Sequence, residues 1–142
     1  MKRIYPTRPI VAASPMVLWS GKVLLVRRRL EPSSGMWSFP GGVIELGETA
    51  RDTAAREAFE ECGIKIKVCE LLGNVDSIFH DEKNQVMFHY VILVFRSEYL
   101  SGDIHNCDEH EETRWMPLSA TGNYKLTRTA SLALNWCGAI SS

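Results

Sequence analysis

Glu57, Glu60 and Glu61 place three carboxylates within five residues, with Arg56 beside them and Glu48 a short way upstream. On a helix, residues three and four apart are neighbours, so Glu57 and Glu61 would stack and Glu60 would lie next to both. Each like-charge pair on an exposed helix costs about 0.2–0.5 kcal/mol. Negative charge close to a helix C-terminus also opposes the helix dipole. Helix formation gains nothing from such a cluster. A hard divalent cation would reverse the sign of the local energy, since Mg²⁺ takes a few carboxylates and fills its remaining positions with waters and substrate phosphates. A solvated acidic face is the other reading, and the charge pattern by itself leaves both open.

The element that must carry these groups is bounded on both sides. Thr49 is a helix N-cap residue type and Gly63 suits the left-handed position just past a helix end, predicting a helix over about Ala50 to Cys62. Ala50, Ala54, Ala55, Ala58, Phe59 and Cys62 fill about half of its wheel and form the face expected to pack on a sheet. Upstream, Pro9 to Trp19 reads as a strand with a bulge or edge position at Pro15. Ser20-Gly21 is a turn and Lys22 to Arg28 a second strand, so the two can form a hairpin. Leu30 to Met36 is a loop, and Trp37 to Pro40 a short extended segment. Downstream, Ile64 to Val75 reads as a strand, Asp76 to Gln85 as a polar loop or hairpin tip, and Val86 to Phe95 as a central strand rich in β-branched and aromatic residues. Ser97 to Asp108 is loop-like and Glu111 to Met116 a short strand. Pro117 to Ser119 starts a turn or short helix, and Thr127 to Cys137 is a terminal helix capped by Thr127 or Thr129. Strands, a helix, more strands and a last helix predict an α+β or mixed α/β domain with its sheet between helices.

The spacing around the carboxylates is more specific than their charge. Gly42, five residues, Glu48, seven residues, Arg56-Glu57, Ala58, one residue, Glu60-Glu61, one residue, Gly63 and Ile64 resemble the signature of the Nudix hydrolases at every position. Ala58 is smaller than the usual aliphatic residue there. Gly35 to Gly42 (GMWSFPGG) resembles the lead-in to that family's loop-helix-loop. The resemblance implies the Nudix fold, a mixed β-sheet in an α/β/α sandwich. It also implies hydrolysis of a nucleoside diphosphate derivative, with water attacking a pyrophosphate phosphorus and Mg²⁺ or Mn²⁺ as cofactor. By motif position Glu57, Glu60 and Glu61 are the expected metal ligands, the Gly41 carbonyl an added one, and Glu48 a carboxylate that orients ligands or waters. Arg56 is expected to hold a carboxylate by paired hydrogen bonds, the alternative being a plain surface ion pair.

The general base is expected in the box or in the run Asp108 to Glu112, where Glu109 and Glu112 are candidates and a solvated acidic turn is the alternative. Arg27, Arg28 and Arg29 end a strand beside a loop, and Arg28 is a candidate for a substrate phosphate. Trp37, Phe39, Phe79 and Tyr90 are candidates for stacking on a base, each equally suited to a core. His105, Cys107 and His110 match no closed zinc spacing and lack a local fourth ligand.

The chain has 142 residues, 45% hydrophobic and 23% charged, with net charge −1. That suits one domain over 1–142. It gives no global field for nucleic acid or an anionic membrane, and no apolar run approaches a membrane span. Cys62, Cys69, Cys107 and Cys137 form no CxxC pair, so reduced thiols in the cytoplasm are expected. The expected partner is a small-molecule nucleotide, with no nucleic acid and no membrane, and a homodimer is admitted. A nucleotide-sensing domain without turnover would be expected to have lost box carboxylates, and all are present. A nucleic-acid module would be expected to carry a basic stripe, and none is seen.

For the substrate, the segments RPIVAAS, VLLVRRR, SFPGGVIELGET and HYVILVF resemble bacterial Nudix proteins described as ADP-ribose pyrophosphatases. ADP-ribose or a related nucleotide sugar is therefore expected. The chain lacks a subfamily proline about fifteen residues past the box, where Ile78, Phe79 and His80 stand. That keeps a mutator-type nucleoside triphosphate pyrophosphohydrolase as the alternative.

Overall fold

The computed structural model describes residues 2–138. Its elements are β1 (Ile10–Trp19), β2 (Lys22–Arg28), β3 (Trp37–Ser38), β4 (Gly42–Val43), α1 (Ala50–Cys62), β5 (Lys65–His80), β6 (Val86–Ser101), β7 (His110–Pro117), a 3-10 turn (Leu118–Asn123) and α2 (Arg128–Trp136). The seven strands form one mixed sheet of order β3-β2-β1-β6-β5, with β4 also on β1 and β7 also on β2. Among the described strands β1 and β6 are the parallel pair, in unbroken register from Ile10↔Tyr90 to Leu18↔Glu98.

The β1–β2 hairpin turns at Ser20 (φ 49°) and Gly21 (φ 75°), two left-handed residues in succession that match the twist of the flanking strands. Its register pairs are Leu18↔Val23 and Trp19↔Lys22. Nearer its start β1 instead pairs with β4, at Ala12↔Val43 and Ala13↔Gly42. Pro15 falls between these two partnerships. β1 is thus a central strand rather than an edge, and its proline sits where that side of the ladder is interrupted.

Side chains alternate across the sheet and serve two cores. Val17, Leu24 and Val26 point toward α1 and meet Ala58, Cys62 and Ile64. Met16, Val23 and Leu25 point the other way, to Ala130, Ala133 and Leu134 of α2. Full burial of a Leu or Val side chain contributes about 1.5–3 kcal/mol, so these stripes hold both helices on the sheet. The expected sandwich is the one observed.

Several boundaries differ from expectation. β5 continues through Asp76–His80, so the turn is confined to 81–85, and β6 continues through Ser97–Ser101. In both extensions the register pairing supplies backbone hydrogen bonds that polar side chains do not oppose. On α1 Phe59 is 55% exposed while Glu61 is buried, an exchange the apolar wheel does not anticipate. Among the described residues no helix is long and apolar enough to cross a membrane. All four cysteines are unpaired.

Candidate active site

The helix that carries the carboxylates is defined by its caps. Thr49 Oγ1 accepts the Asp52 N–H, and Gly63 at φ 78° donates its N–H to the Phe59 carbonyl. In front of it lies the loop between β3 and β4. Gly41 packs against β1, where an added Cβ would stand 2.8 Å from the Ala13 carbonyl oxygen. At Gly42 a Cβ would stand 2.5 Å from Glu57 Oε1. Glycine at position 41 lets the loop lie on β1, and glycine at position 42 lets the backbone approach the Glu57 carboxylate.

Arg56 is the hub of the cluster. Its Nε and Nη2 donate to Glu48 Oε2 and Oε1 at 2.7 and 3.0 Å, a bidentate pair, and Nη1 donates to Glu57 at 2.8 Å and Glu60 at 3.0 Å. Thr53 donates its hydroxyl to Glu48 at 2.6 Å. The guanidinium and this hydroxyl hold the Glu48 carboxyl down at about 2, and Glu48 and Glu57 in return raise Arg56. Glu57 is pushed up to about 7, first by burial and then by the charge of Glu61, against the pull of Arg56.

Glu61 is held by a hydrogen bond on one oxygen and has a close neighbour at the other. Oε2 accepts the Gly41 N–H at 2.8 Å, and Oε1 lies 3.3 Å from His110 Nε2. That second contact has ion-pair distance but not hydrogen-bond alignment, since both ring nitrogens of the buried His110 lack a hydrogen-bond partner.

Two cavities meet here. The smaller, about 370 Å³, is lined by Glu57, Glu60, Glu61, Asp108 and Glu109 among others. The larger, about 990 Å³, has Arg28, Phe39, Phe79, Phe88 and Tyr90 in its walls. Arg3, Gly41, Gly42, Val43, Glu61 and Glu109 line both.

Of the residues expected from the sequence, Gly41, Glu57, Glu60, Glu61 and Glu109 gather at the acidic cleft, and Arg28, Phe39, Phe79 and Tyr90 at the larger cavity. Burial lowers the Arg28 guanidinium, opposed by Tyr90, Glu61 and Glu109, and its Nε donates to the Pro32 carbonyl at 2.8 Å. Four expected residues stand elsewhere. Arg56 lines neither cavity and sits behind the carboxylates it binds. Glu48 lines neither cavity and serves Arg56. Glu112 pairs in register with Arg27 on β2, binds Arg114 and lines neither cavity. Trp37 is buried in the core under α2, with Arg27 and Arg114 over its ring and Tyr124 against its edge. Neither Arg3, which lines both cavities, nor His110 as a neighbour of Glu61 is expected from the sequence.

Among the described residues no three His, Cys, Asp or Glu side chains stand so as to hold a metal ion together. Arg56 engages Glu57 and Glu60 instead. The donor set still suits a hard cation: it consists of carboxylate oxygens, and burial followed by the charge of Glu61 raises Glu57 to about 7, a cost that a bound cation would relieve.

A Nudix domain profile matches residues 8–136. An ADP-ribose pyrophosphatase from Methanocaldococcus jannaschii is 32% identical over 117 residues, which is 82% of this chain and 66% of that protein. A MutT-like protein from Streptomyces ambofaciens is 32% identical over 111 residues, 78% of this chain and 65% of its own length. The chain thus spans just under two thirds of these relatives. The crystal structure of a MutT Nudix hydrolase from Burkholderia pseudomallei superposes with a TM-score of 0.77 at 30% identity, covering 91% of this chain and 98% of that one. With the profile spanning every element from β1 to α2, the chain belongs to the Nudix hydrolase family.

Proposed function

We propose that this chain hydrolyses the pyrophosphate bond of a nucleoside diphosphate derivative, ADP-ribose or a related nucleotide sugar, with Mg²⁺ or Mn²⁺. The observation that carries the reading is the junction of the acidic cleft with a partly apolar cavity of about 990 Å³. That volume is at the upper end of small-molecule sites, about 300–1,000 Å³, with room for a nucleoside and a second moiety. The relative named ADP-ribose pyrophosphatase supports this substrate class.

Members of the family generally need a divalent cation. Glu57, Glu60 and Glu61 would hold it here, with the Gly41 carbonyl as a further oxygen. When bound, the cation supplies charge neutralisation on the phosphate oxygens, the main requirement of phosphoanhydride cleavage.

The chain's own residues do the rest. Hydrolysis adds one water across the P–O–P bridge: its oxygen bonds to one phosphorus, the bridging oxygen leaves with the other phosphate, and a proton leaves the water. Glu109, which lines both cavities, accepts that proton. Arg56 and Glu48 fix the helix carboxylates relative to one another. Arg28 offers guanidinium N–H groups to phosphate oxygens. Phe79, set edge to face against Phe88 at 6.4 Å between ring centroids, and Tyr90 form an aromatic wall for the base.

One domain over 1–142 and a reducing, cytoplasmic setting are part of the same proposal. The two cores shared across one sheet and the four unpaired thiols support them.

A nucleoside triphosphate pyrophosphohydrolase is the second reading, favoured by the MutT-like relative. The products separate the two. Incubation with a nucleotide panel and Mg²⁺ or Mn²⁺, followed by chromatography, is expected to give AMP and ribose 5-phosphate from ADP-ribose. A preference of about tenfold in kcat/KM for an oxidised deoxynucleoside triphosphate, about 1.4 kcal/mol, with release of monophosphate and pyrophosphate, would replace the first reading by the second.

A further inference from the structure

Among the described residues lining the acidic cleft, Arg3 is the one cation, facing Glu45, Glu57, Glu60, Glu61, Asp108 and Glu109. It also lines the larger cavity, so it stands where the two meet. No carboxylate among the described residues pairs with it at ion-pair distance. A substrate that bridges the cavities must bring its phosphates past a wall of glutamates, which repels them. An unpaired guanidinium at the junction offsets that repulsion and offers a planar fork of donors that matches phosphate oxygens.

The placement is built rather than incidental. Two residues on, Tyr5 donates its backbone N–H to the Met87 carbonyl at 2.8 Å and its hydroxyl to Asp81 Oδ2 at 2.7 Å. Asp81 is itself fixed, because its Oδ1 accepts the N–H groups of Lys83 and Gln85, each at 2.9 Å, in the turn between β5 and β6. Tyr5 adopts φ 52°, a left-handed conformation uncommon for a bulky side chain and kept only where surrounding contacts hold it. The arm before β1 is thus tied to the turn between β5 and β6, two residues from Arg3.

We propose that Arg3 binds the phosphate bridge of the substrate at the junction of the two cavities, and that Tyr5 is the positioning residue that holds it there. This rests on the pyrophosphatase reading above.

The test is steady-state kinetics of wild type, R3Q, R3K, Y5F and the R3Q/Y5F double variant, at low and high ionic strength. R3Q is expected to raise KM about tenfold with kcat within about twofold of wild type, and R3K to recover part of the loss. Wild-type KM should rise with salt more steeply than that of R3Q, a Coulombic response that a purely structural residue would not give. Y5F is expected to raise KM in the wild-type background and to add nothing to R3Q. An unchanged KM in R3Q, or a loss confined to kcat, overturns the role of Arg3. An equal effect of Y5F in both backgrounds overturns the role of Tyr5. If wild type cleaves none of the panel, the pyrophosphatase reading fails, and calorimetric titration with ADP and Mg²⁺ still reads Arg3. Binding about tenfold weaker in R3Q supports it, and the same result in both proteins, including no binding in either, overturns it.

Discussion

Arg56 meets Glu48 and Glu57 through different nitrogens and pulls both down, but burial and the charge of Glu61 raise Glu57 overall. Glu48 falls from 4.5 to about 2, so its contribution to stability is present above pH 4.5 and is lost as pH falls through 2. Glu57 rises from 4.5 to about 7, so its contribution is present below pH 4.5 and is lost as pH rises through 7. For Glu57, which is only 14% exposed, the loss amounts to about 3 kcal/mol at most. Thermal melting of chelated protein across pH reads both. Relative to wild type, E57Q is expected to remove the decline between pH 4.5 and 7, and E48Q the decline between pH 4.5 and 2. Parallel profiles for wild type and E57Q would show that Glu57 carries no such strain. Added Mg²⁺ should raise wild-type melting most at pH 7 and above, where Glu57 is ionised.

At the scale of elements, α1 is fixed from its ends and aligned by what approaches its side. The Thr49 cap acts on helix stability and Gly42 acts on the carboxylates. T49A is expected to cost about 1 kcal/mol in denaturant unfolding and to leave kcat within a few-fold of wild type. G42A puts a methyl group on the Glu57 carboxylate, 2.5 Å from Oε1. Displacement of a catalytic group by about 1 Å can cost about a hundredfold, so kcat/KM of G42A should fall by about that factor. Kinetics and unfolding on both variants check this. Equal activity losses in the two would mean that the helix acts as a whole and that Gly42 has no particular role.

Across the whole molecule the aromatic residues divide between holding the sheet and lining the cavity. Trp37 donates its backbone N–H to the Lys125 carbonyl at 2.8 Å and accepts the Thr127 N–H at 2.9 Å. It thereby ties β3 to the start of α2, with its ring buried. Phe79 is 38% exposed on the larger cavity. W37A is expected to lose about 3–5 kcal/mol of stability. F79A should lose less than about 1 kcal/mol, in keeping with a half-exposed ring, and should raise KM. Denaturant unfolding and KM measured on both variants decide the assignment. A large stability loss in F79A with unchanged KM would return that ring to the core.

The sequence by itself determined what local interactions fix. The Ser20-Gly21 hairpin, the bounds of α1 from Thr49 to Gly63 and the α2 cap at Thr127 were all legible, because each depends on backbone conformation and hydrogen bonds within a few residues. The spacing of Gly42, Glu48, Arg56, Glu57, Glu60 and Glu61 was legible for the same reason, since one loop and one helix carry them all. Tertiary structure decided the rest. The polar ends of β5 and β6 read as loops, but pairing between them satisfies their backbone whatever the side chains prefer. Glu61 is buried and Phe59 exposed because the Gly41 N–H and His110, distant in sequence, meet the helix on the side of Glu61. Glu109 reaches the cavities and Glu112 does not, because β7 begins between them and places Glu112 in the ladder beside β2, where its carboxylate binds Arg114. Arg3 lines the cleft although it lies far before Gly41 in the sequence, and the bond from Tyr5 to Asp81 ties its arm to the turn between β5 and β6. Each of these outcomes depends on which distant groups are available to satisfy a charge or a hydrogen bond, and only the folded chain brings those groups together.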